Sequence, residues 1–284
     1  MKGVNIKPMK KVIHLLSAAI LVSALAACSQ HAPKTVEPET KTVSVTEEQA
    51  QEHDLQSTAW SYEGATGPES WGELDEQYAA CVNGSEQSPI NIELSEAETN
   101  KTIEEVNIQY EPTTFSVINN GHTIQANTAS VTNKIILDET EYQLVQFHFH
   151  TPSEHRFNGQ PYEMELHLVH QNESGELAVL GLMIQEGNMN EYLQPVWAAL
   201  QEEITEEDIS LSEPVQLQTL LPKDQTFLHY NGSLTTPPCT EEVEWIILEQ
   251  PIELSQEQIQ VFQQIFPDNH RPIQPLNERE VIRN

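Results

Sequence analysis

Phe147-His148-Phe149-His150 and Glu165-Leu166-His167-Leu168-Val169-His170 are the two runs whose reading decides the fold. Side chains alternate between the two faces of a β-strand, so His148 and His150 share one face while Phe147 and Phe149 share the other. In the second run Glu165, His167 and Val169 point one way, and Leu166, Leu168 and His170 point the other. If the turn-rich stretch from Thr151 to Pro161 folds the chain back as a hairpin, His167 comes beside the His148/His150 pair. Three neutral nitrogen donors with no fourth protein donor nearby describe a catalytic zinc site that keeps one position for water. A lone His-x-His on a strand is commonly a surface pair without metal. The third histidine, in phase on the neighbouring run, brings the metal reading level with the metal-free one, and the residues around the three decide for metal.

The chain has 284 residues, of which 38% are hydrophobic and 20% charged. That suits one large globular domain or two small ones, with enough apolar material for a core. Lys2, Lys7, Lys10 and Lys11 form a positive leader, followed by an apolar run from Val12 to Ala24 that is short for a membrane span. Leu25-Ala26-Ala27-Cys28 then resembles the lipobox of bacterial lipoproteins, which implies a signal peptide over 1–27 and lipidation of Cys28. An ordinary signal peptide cut nearby is the alternative. Either way the protein is expected to be exported, to the periplasm or cell envelope, and to touch a membrane only through a lipid anchor on Cys28. Disulfides persist in such compartments, so Cys81 and Cys239 can pair, with free buried thiols as the other reading. The net charge is −31, from 44 acidic against 13 basic residues. This excludes nucleic-acid binding, which needs a basic footprint, and favours solubility through self-repulsion.

Residues 28–57 are rich in Thr, Glu, Gln and Ser, lack aromatics, and read as a flexible tether. One domain, 58–284, follows. Strand signals dominate it: Val106 to Tyr110, Phe115 to Ile118, Tyr142 to His150, Glu165 to His170, Ala178 to Ile184, and Val243 to Leu248. Helices are few. Ser255 with Gln258 makes a capping box, Leu254 and Ile259 can staple across it, and the pattern runs through Phe262 and Phe266 until Pro267. A second helix is expected from Glu191 to Leu200. The class is a sheet-dominated α+β domain with short peripheral helices.

Around the histidines stand Gln87-Ser88-Pro89-Ile90-Asn91-Ile92, Asn119-Asn120-Gly121-His122, Gln146 to His150, Ser153-Glu154-His155, Glu165 to His170, Gly232-Ser233-Leu234-Thr235-Thr236-Pro237-Pro238-Cys239, and Asn269-His270-Arg271-Pro272. On these blocks, in this order, the chain from about Trp60 resembles the α-class carbonic anhydrases of the exported bacterial kind. The resemblance implies a central twisted, largely antiparallel β-sheet. It implies Zn2+ on His148, His150 and His167, and reversible hydration of carbon dioxide to bicarbonate by zinc-bound hydroxide, with a histidine shuttling the proton to buffer. All three histidines are intact, which separates this reading from its alternative, a non-catalytic binding module on the same fold.

The resemblance also distributes roles. Gln146, Glu165 and the backbone carbonyl of Asn269 would hold the second nitrogens of the ligand rings, fixing tautomer and aim. Thr235 would accept the hydroxide's hydrogen bond and donate its own proton to Glu154, while the Thr235 backbone N–H would stabilise developing bicarbonate charge. His122 takes the shuttle position. Tyr62, Asn120 and Gln125 match positions that order the water chain, Gln125 standing where other members often carry Asn. Carbon dioxide is small and apolar and needs an apolar wall; Val169, Val179, Leu234 and Trp245 match it, with Thr235 and Thr236 completing the pocket. Pro89 or Pro238 is expected to be cis. A Cys81–Cys239 disulfide would then fasten the Thr235 loop to the N-terminal part of the domain. Relatives of this kind are often dimers, so a homodimer is an expectation. His14, His31, His53 and the out-of-phase His170 receive no role.

Overall fold

The computed structural model describes residues 59–99, 106–205 and 207–284. The expected signal peptide, Cys28 and the tether, with His14, His31 and His53, lie outside the described residues. No helix among the described residues is long and apolar enough to cross a membrane.

The strands in chain order are β1 (Asn91–Ile92), β2 (Asn107–Gln109), β3 (Ser116–Asn119), β4 (Ile124–Asn127), β5 (Lys134–Leu137), β6 (Thr140–His150), β7 (Arg156–Phe157), β8 (Met164–Gln171), β9 (Leu177–Glu186), β10 (Ile209–Ser210), β11 (Phe227–Ser233), β12 (Glu241–Leu254) and β13 (Ile282–Arg283). Eleven of them make one sheet in the order β10-β3-β4-β6-β8-β9-β12-β11-β13, with β5 also on β6 and β2 on β5. β9 and β12 run parallel; the other neighbours in this sheet are antiparallel. β1 and β7 pair separately, in parallel. The sheet-dominated, largely antiparallel class expected from the sequence is what is found.

Among the described residues five short α-helices lie around the sheet: α1 (Trp71–Leu74), α2 (Ala80–Asn83), α3 (Gln194–Trp197), α4 (Leu217–Leu220) and α5 (Gln256–Ile265). α5 begins as its sequence dictates. The Ser255 hydroxyl accepts from the Gln258 N–H and the Gln258 side chain caps Ser255 N in return. Ile259 and Phe262 are buried on its inner face. The expected helix from Glu191 to Leu200 is shorter than read. Only Gln194–Trp197 is α-helical, and the flanking bonds, Gln194 N to Glu191 O and Ala199 N to Val196 O, span three residues rather than four. Pro195 lacks the N–H that would have tied the first turn.

The two faces of the sheet bury different things. Phe147, Phe149, Leu166, Leu168, Leu180, Leu182, Ile246 and Leu248 belong to the larger core on one face. Val169, Val179, Met183, Val243, Trp245 and Ile247 belong to a second core on the other. What assigns the histidines to the second face is an irregularity in β6. The pairing of β6 with β8 slips between Leu144 and Gln146, a bulge at Val145, which is 42% exposed. Tyr142 and Leu144 face the larger core before the bulge, and Phe147 and Phe149 face it afterwards. One extra residue thus switches parity, so that the larger core keeps its phenylalanines while Gln146, His148 and His150 turn to the opposite face.

Candidate metal centre

The hairpin register sets His148 directly opposite His167. His150 follows two residues along β6. The ring centroids are separated by 5.0 Å (His148–His150), 5.2 Å (His148–His167) and 4.7 Å (His150–His167). One nitrogen from each ring lies within 4.8 Å of the other two, a spacing that can hold one metal ion.

Each ring has its other nitrogen occupied. His148 Nδ1 bonds Gln146 Oε1 at 2.9 Å, His150 Nδ1 bonds the Asn269 carbonyl at 2.7 Å, and His167 Nε2 bonds Glu165 Oε1 at 2.8 Å. The nitrogens left to converge are therefore Nε2 of His148, Nε2 of His150 and Nδ1 of His167. His150 Nε2 is buried without a hydrogen-bond partner, an arrangement that costs free energy unless something binds it. Burial, with the neighbouring rings adding to it, holds His148 well below the ordinary histidine pKa. Burial lowers His150 as well. For His167 burial acts downward too, but the adjoining Glu165 carboxylate outweighs it and the net shift is upward. Two neutral rings and a third polarised by a carboxylate form a donor set that suits zinc.

Glu165 is itself fully engaged. Its Oε2 accepts from the backbone N–H groups of Glu154 and His155 at 2.9 and 2.8 Å, and its Oε1 takes the His155 ring at 2.7 Å beside that of His167. Burial alone would raise this carboxyl, yet the His155 and His167 rings and their hydrogen bonds hold it well below the usual range. Gly181, opposite His167 on β9, leaves the room this needs: a Cβ there would stand 3.3 Å from Glu165 Oε1. Behind Glu165 the chain continues from His155 Nε2 to the Tyr230 hydroxyl at 2.6 Å and on to Ser88 Oγ at 2.8 Å. The sequence alone assigns no role to His155 or Tyr230. His155 stands in a quoted motif, but nothing marks Tyr230, which lies 75 residues away along the chain.

Glu154 and Thr235 are both buried, but they do not bond each other. Glu154 Oε1 accepts the Arg271 backbone N–H at 2.8 Å. Its Oε2 has no hydrogen-bond partner and faces His150 Nε2 at 3.5 Å and His167 Nδ1 at 3.9 Å. The Arg271 guanidinium, buried beneath, reaches Gln87 Oε1, the Ser88 carbonyl and the Cys81 carbonyl at 2.7–2.9 Å. Burial brings its pKa down to about 10, which leaves it charged. Arg271 thereby ties Glu154 to the N-terminal part of the domain, and the Cys81–Cys239 disulfide ties the end of the Thr235 loop to it. The peptide bonds before Pro89 and Pro238 are both cis, as is that before Pro152.

The apolar residues gather on this face. Val169, Val179 and Trp245 are buried in the second core and Leu234 packs against it, while Thr236 is half-buried beside Thr235. The Trp245 ring lies 4.9 Å from His167 and 4.7 Å from His155, held by its Nε1 donating to the Ser233 carbonyl at 2.9 Å. His122 stacks flat on Trp60, centroids 3.7 Å apart and planes 8° from parallel, with Tyr62 edge-on at 6.5 Å. Asn269 Nδ2 donates to the His122 carbonyl at 3.0 Å. Asn120 caps the turn before His122, and Gln125 stands opposite His148 in the β4–β6 register. His170 faces away, buried against Tyr110 on the other side of the sheet with its pKa lowered to about 3 by burial.

The model of the eukaryotic-type carbonic anhydrase family matches residues 66–284. A carbonic anhydrase of Klebsiella pneumoniae is 45% identical over 226 residues, covering 78% of this chain and 90% of that protein. One from a Nostoc species is 43% identical over 229 residues, covering 78% and 85%. Among solved structures, the α-carbonic anhydrase of Thermovibrio ammonificans in complex with the inhibitor sulfanilamide superposes with a TM-score of 0.76 at 39% identity, covering 79% of this chain and 99% of that one.

Proposed function

Because the chain belongs to the eukaryotic-type, α-class carbonic anhydrase family and is an enzyme of carbon dioxide hydration, we propose that His148, His150 and His167 hold a catalytic zinc ion through Nε2, Nε2 and Nδ1 respectively. The observation that carries this is the convergence of these nitrogens while each ring's other nitrogen is engaged. When bound, zinc supplies the positive charge that makes hydroxide available from water near neutral pH, as three-histidine zinc sites do.

The chain's own residues supply the rest. Gln146, Glu165 and the Asn269 carbonyl fix the tautomers and the aim of the three rings. Val169, Val179, Leu234 and Trp245 offer carbon dioxide an apolar wall beside them, with Thr236 at its edge. The Thr235 hydroxyl would orient the nucleophile by accepting a hydrogen bond from it, without the Glu154 contact, since Glu154 Oε2 faces His150 and His167 instead. The Thr235 N–H would stabilise charge building on bicarbonate. His122 takes the released proton to solvent; its half-buried ring titrates below the ordinary histidine value and is ready to accept. Tyr62, Asn120 and Gln125 line that route. The leader pattern and the disulfide support export to the cell envelope, with Cys28 as the lipid anchor.

The test is zinc content together with carbon dioxide hydration for the wild type and His148→Ala. The wild type is expected to carry one zinc and hydrate rapidly, and the variant to lose both, with the rate falling at least about a hundredfold. A variant as active as the wild type would exclude this site. Ester hydrolysis is the weaker assay, because zinc hydrolases of other kinds also perform it.

A further inference from the structure

We propose that Asp208 is a positioning residue for proton release: it terminates a one-way hydrogen-bond chain that begins at the backbone of His122 and fixes which end of Gln125 faces Asn120. This rests on the reading of His122 as the shuttle.

The direction of the chain follows from what each group can donate. Asn120 Oδ1 accepts the backbone N–H groups of His122 and Thr123, both at 2.9 Å. Only its amide nitrogen remains for Gln125, and Nδ2 lies 3.4 Å from Gln125 Oε1. Gln125 Nε2 donates to Asn127 Oδ1 at 2.6 Å, and Asn127 Nδ2 donates to Asp208 Oδ2 at 2.9 Å. The same carboxylate oxygen accepts the Ser116 hydroxyl at 2.6 Å. An ionised carboxylate only accepts, and the Asn120 oxygen is already used, so the two amides between them cannot turn over without losing a bond. Ser116 and then Asn127 hold the Asp208 carboxyl below its ordinary pKa, which keeps it ionised at physiological pH.

Register places this chain beside the metal site. Gln125 is opposite His148, Asn127 is opposite Gln146, and Ser116 is opposite Asn127. All three side chains lie on the sheet face that carries the histidines. Gln125 and Asn127 are half-buried, whereas Asp208 is exposed. The surface carboxylate thus sets the polarity of a row of amides one strand away from the metal ligands. Bonds in series polarise one another, so the last acceptor supports the turn that carries His122.

The experiment measures kcat in dilute buffer, where proton release limits turnover, alongside kcat/KM and zinc content. Asp208→Lys replaces an acceptor with a donor and reverses the chain; kcat is expected to fall about threefold with kcat/KM and zinc unchanged. Adding Asn127→Asp restores polarity, since the new carboxylate accepts from both the introduced ammonium and Gln125 Nε2, and the double variant is expected to regain kcat. A kcat unmoved by Asp208→Lys, or a joint loss of kcat, kcat/KM and zinc, would overturn the proposal, as would a double variant that does not recover. His122→Ala separates the two levels: if it leaves kcat unchanged, the shuttle reading itself fails.

Discussion

His122 lies against the indole of Trp60, and the half-burial of its ring lowers its pKa. Desolvation disfavours the imidazolium, so the ring titrates below the ordinary histidine pKa of about 6.5. A group that must accept a proton works above its pKa and fails below it. The kcat for hydration should therefore fall as pH drops through that lowered value, while kcat/KM, which does not include proton release to buffer, is not governed by it. Trp60→Ala exposes the ring and should move the acid limb of kcat upward towards the ordinary value; a limb that stays in place in the pH profile would contradict this role. At this scale the sequence was highly legible. The three converging histidines follow from alternation, as does the placing of Gln146 two residues before His148 and of Glu165 two before His167 on the same strand faces. The roles of Gln146 and Glu165 come from the family resemblance. His155 and Tyr230 were not legible, because their bond joins segments that only the finished sheet brings together. The Thr235–Glu154 hydrogen bond that the resemblance implied is absent because the Glu154 carboxylate is turned towards Arg271 N and the imidazoles.

Strand β6 works because of its bulge. Simple alternation counted back from His148 would put Leu144 on the metal face, yet Leu144 is buried in the opposite core. Val145 is the residue left over in the pairing of β6 with β8, so deleting it makes the alternation regular. Tyr142, Leu144, Phe147 and Phe149 then stay in the core, and His148 and His150 stay on the metal face. The deletion should keep zinc binding, and Val145→Thr, on an exposed side chain, should change stability by only about 0.5 kcal/mol. Metal stoichiometry of the two purified variants checks this, and a deletion variant without zinc would refute it. Nothing in the composition of Leu144-Val145-Gln146 announces a bulge. The short strands β4 and β11 were missed for a related reason. Ile-Gln-Ala-Asn and Phe-Leu-His-Tyr-Asn-Gly-Ser mix strand formers with Asn and Gly that oppose strands, and they are held as strands by pairing on both flanks. The α5 terminus was legible to the residue, because a capping box is a local device.

For the whole molecule the dominant feature is charge: 44 acidic against 13 basic residues give −31. Self-repulsion on that scale destabilises the compact state and is screened by salt. The unfolding midpoint should rise as sodium chloride is raised from dilute to molar, measured by thermal or denaturant unfolding; a midpoint that does not move would remove charge as a stability determinant. The 158-residue separation of Cys81 and Cys239 acts in the opposite sense, restraining the unfolded chain by about 5 kcal/mol in the loop-entropy view. All of this architecture serves to bring three ring nitrogens together on one face of the sheet. The most direct test is the zinc-edge X-ray absorption spectrum of the purified enzyme. It should show one zinc per chain bound by three imidazole nitrogens and one further oxygen donor, with an imidazole lost in His167→Ala. A spectrum with fewer imidazoles in the wild type, or full hydration activity after the zinc has been stripped, would contradict the account.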